Sequence, residues 1–141
     1  MFQKILVGYD GSKGGKAALR RAAALAKESK APITALWVRE PLPRYTDLPG
    51  EPESEQEAAD EYFKERQKEV AEVAREHNIR IPCETRRGHP AKMIVKFADE
   101  GGCDLIVIGH SDHSELWGRL LGDTADRISD HAHCSVLIVK Q

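Results

Sequence analysis

Asp104-Leu105-Ile106-Val107-Ile108-Gly109 is the stretch whose reading decides the fold. Four consecutive large aliphatics, bounded by a turn residue on each side, leave no polar face. That is the pattern of a strand buried on both sides. Such strands belong to parallel sheets covered by helices, because a parallel neighbour is reached only through a crossover. Ile5-Leu6-Val7 near the start repeats the signature, and Ser135 to Val139 near the end repeats it again.

Between these runs the period changes to that of a helix. Lys13 to Ser29 carries Ala18, Ala22, Leu25 and Ala26 on one side and Arg20, Lys27 and Glu28 on the other. Ser12 stands where an N-cap is wanted, and Ala31-Pro32 stops the helix. Ile33 to Val38 reads as the second strand. Arg39 to Pro52 holds four prolines and reads as a long loop. Glu53 to His77 is a charged helix with a single apolar stripe through Ala59, Tyr62, Phe63, Val70, Val73 and Ala74.

Ile79 to Arg86 is the third strand, and Pro82 marks it as an edge, since proline cannot donate to a ladder. Gly88-His89-Pro90 opens a third helix, with Met93, Ile94, Phe97 and Ala98 facing inward and Gly101-Gly102 ending it. His110 to Leu121 reads as a loop with one helical turn, and Thr124 to His131 as a short helix.

These elements predict one α/β domain over residues 1–141: an open five-stranded parallel sheet with helices on both faces. Placing the proline-bearing strand at an edge selects the order 3-2-1-4-5. Ligands of such sheets sit beyond the carboxyl ends of the strands, where the winding reverses. Here that point lies between Gly8-Tyr9-Asp10 and Gly109-His110-Ser111-Asp112. Gly122 precedes the last helix, whose free N–H groups suit an anion.

At these residues the chain resembles the universal stress protein family over nearly its whole length. The matching parts are ILVGYDGS at the start, DLIVIGHSD, GRLLGDTADRI and HAHCSVLIV at the end. The resemblance implies an adenine nucleotide alpha hydrolase-like fold, a stress-response role, and a homodimer paired through the last strand, here Val136, Leu137, Ile138 and Val139. An exposed aliphatic edge needs such cover. It also implies ATP or another adenine nucleotide as ligand, held by glycine, two residues, glycine, nine residues, glycine, then serine or threonine. Gly109 and Gly122 occupy the first and third glycine positions. Asp112 replaces the middle glycine and Asp123 the final hydroxyl residue.

Two carboxylates beside a triphosphate repel it by on the order of a few kcal/mol each where water is partly excluded. Asp123 suits an N-cap, so the protein would fill its own anion site. Arg119, Thr124, Ser111, Ser114, His110 and His113 offset part of that charge, and a bound Mg²⁺ would turn a carboxylate into an asset. On the adenine side, Asp10 and Val38 match family positions near the base and ribose. Gly8, Tyr9 and Ile108 complete the candidate set. The rival reading is a protein-interaction module with a self-capped, nucleotide-free crevice.

Composition excludes other classes. The formal net charge is -2 and the pI about 6.3, so nothing draws the chain to nucleic acid or an anionic membrane. No apolar run reaches the roughly 20 residues of a membrane span. Cys83, Cys103 and Cys134 form no CxxC, which fits a reducing cytoplasm and no disulfide framework.

His110 with His113, and His131 with His133 and Cys134, lack a matching second ligand pair, so no metal site is expected. Ser12 has no GxSxG elbow, and no catalytic pair stands out beyond a slow ATP hydrolysis without an evident base. Gly11, Gly14 and Gly15 echo a dinucleotide fingerprint only weakly.

Overall fold

The computed structural model describes residues 1–40, 51–110 and 123–140. Strands and helices alternate: β1 (Ile5–Gly8), α1 (Lys13–Ser29), β2 (Ile33–Arg39), α2 (Glu51–His77), β3 (Cys83–Arg87), α3 (Pro90–Gly101), β4 (Leu105–Gly109), α4 (Asp123–His131) and β5 (Ser135–Val139). All pairings are parallel and the sheet order is β3-β2-β1-β4-β5.

Alternation along the strands splits the core in two. Ile5 and Val7 point to the layer of α1 and α2, where they meet Leu19, Ala22, Val70 and Val107. Leu6 points the other way, toward Ile94, Ala98, Ile106 and Ile128 beneath α3 and α4. Leu6 and Ile106 are fully buried, so truncating either to alanine should cost about 2–5 kcal/mol. Ala18, Ala22, Ala23 and Ala26 of α1 are buried and let that helix lie close on the sheet.

β2 and β3 each run one residue past expectation, to Arg39 and Arg87, and three element starts differ as well. β3 begins at Cys83, after Pro82 rather than around it, because the proline has no N–H; its carbonyl still accepts from Ala35 N at 2.9 Å. The edge placement inferred from that proline stands. α4 starts at Asp123, one residue early, and α2 at Glu51, two residues early. The loop over 41–50 and the connection over 111–122 lie outside the described residues. Among the described residues no helix is long and apolar enough to cross a membrane.

Candidate functional site

The carboxyl ends of β1, β2 and β4 converge on a cleft of about 610 Å³ at the switch point between β1 and β4. Gly8, Tyr9, Asp10, Val38, Ile108, Gly109 and Thr124, all expected from sequence, line it. Asp112, Arg119 and Gly122 lie outside the described residues. Asp123 is placed as the first residue of α4, and its side chain lies outside the description. Leu36, Trp37, Pro90 and Ile94 also line the cleft and were not anticipated.

The turn from β1 into α1 is tied by side chains from both its own residues and α2. Asp10 Oδ1 accepts from Ser12 N at 2.9 Å, and Ser12 Oγ accepts from Gly15 N at 3.0 Å. Ser12 is therefore the N-cap its sequence position suggested. The Tyr62 hydroxyl of α2 donates to the Asp10 carbonyl. Arg66, one turn further on, lays its guanidinium over the Tyr62 ring at 4.1 Å and crowds Gly11, whose φ is +88°. Trp37 packs against Tyr62 at 4.9 Å between ring centroids, forming the wall on that side.

Arg66 is anchored in turn by Glu69. Its Nε lies 2.8 Å from Oε1 but off the N–H direction, so that contact is ionic, whereas NH2 donates a hydrogen bond to Oε2 at 3.2 Å. Tyr9, only 3% exposed, donates its hydroxyl to Glu69 Oε1 at 2.6 Å. Burial, then this bond to a carboxylate, raises the Tyr9 pKa far above that of an ordinary phenol. Tyr9 thus reaches the cleft with its hydroxyl already committed to α2.

Gly14 of the turn and Gly109 at the end of β4 have packing roles. A Cβ on Gly14 would collide with the His110 carbonyl oxygen, and one on Gly109 with the Gly14 carbonyl. The start of α1 and the end of β4 are therefore in backbone-to-backbone contact. The weak dinucleotide echo in GSKGGK reflects this approach.

A second hollow, about 510 Å³, shares Glu40, Pro90 and Thr124 with the cleft and lies between α3 and α4. Lys92 and Arg127 line it with the imidazoles of His89 and His131, a set that no local motif announces. Among the described residues no group of three His, Cys, Asp or Glu side chains is placed to hold a metal ion. His131 Nδ1 sits 2.9 Å from the Arg127 carbonyl, and His133 Nδ1 3.1 Å from Asp99 Oδ2.

Comparison with known proteins decides the lineage of this site. The family model described as "Universal stress protein family" matches residues 1–140. The chain belongs to the universal stress protein family. Universal stress protein MJ0531 of Methanocaldococcus jannaschii is 36% identical over 143 positions, covering 100% of this chain and 84% of the relative. Universal stress protein YxiE of Bacillus subtilis is 34% identical, covering 99% of this chain and 100% of its own.

A crystal structure of a universal stress protein in complex with cAMP superposes with a TM-score of 0.77 at 26% identity, covering 98% of this chain and 97% of that one. The fold is accordingly the adenine nucleotide alpha hydrolase-like one that the sequence resemblance implied.

Proposed function

We propose that this universal stress protein holds an adenine nucleotide with a single phosphate, AMP or cAMP, in the β1–β4 cleft, and acts in the cytoplasm as a homodimer that changes partners or stability when the cleft fills. The carrying observation is that Asp10, Val38, Ile108 and Gly109 meet in one cleft at the switch point. The relative crystallised with cAMP makes a cyclic monophosphate a natural first ligand to test. Leu36, Val38, Ile94 and Ile108 offer an apolar seat for a base, and the Asp10 carboxylate lining the same cleft is the acceptor assigned to a sugar hydroxyl.

The preference for one phosphate rests on Asp112 and Asp123, which replace the motif's glycine and hydroxyl residue. Each repels a triphosphate where water is partly excluded. Lys92 and Arg127 in the adjoining hollow supply positive charge without reversing that preference near the α4 start.

Isothermal titration of cAMP, AMP and ATP, with and without Mg²⁺, tests this reading. cAMP or AMP should bind at least about ten-fold more tightly than ATP, a difference of roughly 1.4 kcal/mol. The double variant Asp112→Gly, Asp123→Ser should recover most of that gap for ATP. Submicromolar ATP binding by the wild type, unaltered in the variant, would overturn it. No heat with any adenine nucleotide would favour the second reading, a protein-interaction module whose acids cap the crevice themselves.

The dimer proposal draws on β5. It ends the sheet, and Val136, Leu137, Ile138 and Val139 are only part-buried in the monomer. β3, the opposite edge, carries Glu84, Arg86 and Arg87 and needs no cover. Light scattering at micromolar concentration should give twice the chain mass, and Ile138→Lys should give a monomer. A monomeric wild type would remove this part of the proposal.

A further inference from the structure

The end of the sheet opposite the cleft holds a pair of thiols that the nucleotide reading leaves without a role. Cys103 precedes β4 and Cys134 precedes β5, and both pack against the same apolar cluster under α3 and α4. Their sulfurs therefore lie on one side of the sheet. The β4–β5 ladder opens at Leu105 opposite Ser135, so the two cysteines stand just ahead of neighbouring strands. Asp104 is still bound to β1, its N–H donating to the Lys4 carbonyl at 2.9 Å, while the Cys103 N–H closes α3 on the Ala98 carbonyl, and the Cys103 side chain shares its cluster with Cys134.

Neighbouring strands lie about 4.8 Å apart and rise about 3.3 Å per residue. Residues one or two places ahead of a paired position on neighbouring strands therefore stand on the scale of a disulfide's α-carbon span. Both residues are half-buried and both thiols are free.

We propose that Cys103 and Cys134 are a modification site that closes into a disulfide on exposure to a peroxide, stapling the edge strand β5 to β4. The surroundings assign the order of events. The Cys103 sulfur and the Lys4 ammonium both border the space beside Gly101, 3.7 and 3.9 Å from where its Cβ would stand. Burial raises the Cys103 thiol, the Lys4 cation offsets part of that, and Asp104 adds to the rise. Cys134 faces Cys103 and the carboxylates of Asp99 and Asp104, which together with burial keep it protonated.

Cys103, the one of the two with a cation beside it, is assigned as the sulfur that attacks first. Its thiolate takes one peroxide oxygen, breaking the O–O bond to leave a sulfenic acid and, after protonation, one water. The Cys134 sulfur then displaces the sulfenic oxygen as a second water while the S–S bond forms. In sum two thiols and one hydrogen peroxide give one disulfide and two waters.

The third cysteine serves as an internal control. Cys83 opens β3 and packs on the opposite face of the sheet, with burial pushing its thiol up to about 11. The purified full-length chain is treated with hydrogen peroxide, denatured and titrated for thiols, then peptide-mapped without reductant. The three thiols should fall to one, with Cys103 and Cys134 peptides joined and Cys83 free, and dithiothreitol should restore all three.

Closing this loop should raise Tm by several degrees, up to about 10 °C. Cys134→Ser should stall Cys103 as a sulfenic acid trapped by dimedone, and Cys103→Ser should slow loss of Cys134 about ten-fold. Three thiols surviving treatment, or cross-links joining Cys83 or separate copies instead, would overturn the proposal.

Discussion

Two chain connections face the cleft, and they are built on opposite plans. In the turn from β1 to α1, Asp10 and Ser12 satisfy the helix start, and Tyr62 and Arg66 reach across from α2 to hold the backbone. The Ser12 and Gly15 N–H groups at the α1 start are therefore committed to the protein's own side-chain oxygens. At the start of α4, Thr124 is exposed and lines both hollows, and the sequence sets Asp123 directly before it. In the proposed function the first connection supplies the wall for a base and sugar. The acids at 112 and 123 in the sequence of the second are what that proposal makes responsible for how much phosphate the site tolerates.

The contrast is most easily broken where the two connections touch. Replacing glycine by alanine inside a helix ordinarily stabilises by about 1 kcal/mol. At Gly14 the added Cβ meets the His110 carbonyl, backbone that no rotamer change can move aside. Gly14→Ala is therefore expected to destabilise by about 2–3 kcal/mol, lowering Tm by roughly 5–10 °C. Gly109→Ala should do the same from the other side of the contact. Gly101→Ala, whose Cβ would meet only ordinary contacts from 3.7 Å outward, should be neutral or stabilising. Thermal unfolding of the three variants settles the matter, and a Gly14→Ala protein as stable as wild type would dissolve the claimed close approach.

That contact also marks where sequence reading stopped. The aliphatic runs at 5–7 and 105–108, the proline at 82 and the serine at 12 each carry a local physical signal. Strand burial, edge placement and helix capping followed from them directly. The meeting of Gly14 with Gly109 joins residues far apart in the chain, and a glycine alone does not say what approaches it.

Arg66 is similar. In the sequence it is one charge among many on a wet helix, yet in the fold it is half-buried between Tyr62, Gly11 and Glu69. Tyr62 was read as part of the inward stripe, but it is 39% exposed and spends its hydroxyl on the turn. Trp37 and Pro90 reach the cleft because strand and helix ends happen to converge there, which periodicity does not encode. The acids at 112 and 123 were legible only against the family's motif.

The finer test concerns the chain of polar contacts that ties β1 to α2. Tyr9 is buried, and its phenol must stay protonated to donate to Glu69. Its folded pKa lies above the unfolded value of about 10, through burial first and the Glu69 bond second. For a group raised on folding, the contribution is complete below the unfolded pKa and is lost as pH climbs beyond it. Tyr9→Phe removes both the hydroxyl and its titration. At pH 8 the variant should be less stable by about 1 kcal/mol, because Glu69 keeps Arg66 as a partner. Above pH 10 the wild type alone should lose a further increment approaching about 1.4 kcal/mol per pH unit, so the gap closes and then inverts. Urea unfolding of both proteins at pH 8, 10 and 11 measures this directly. Parallel pH profiles would mean that the Tyr9 hydroxyl is not held as described, and that the β1 turn is tied to α2 through Tyr62 and Arg66 alone.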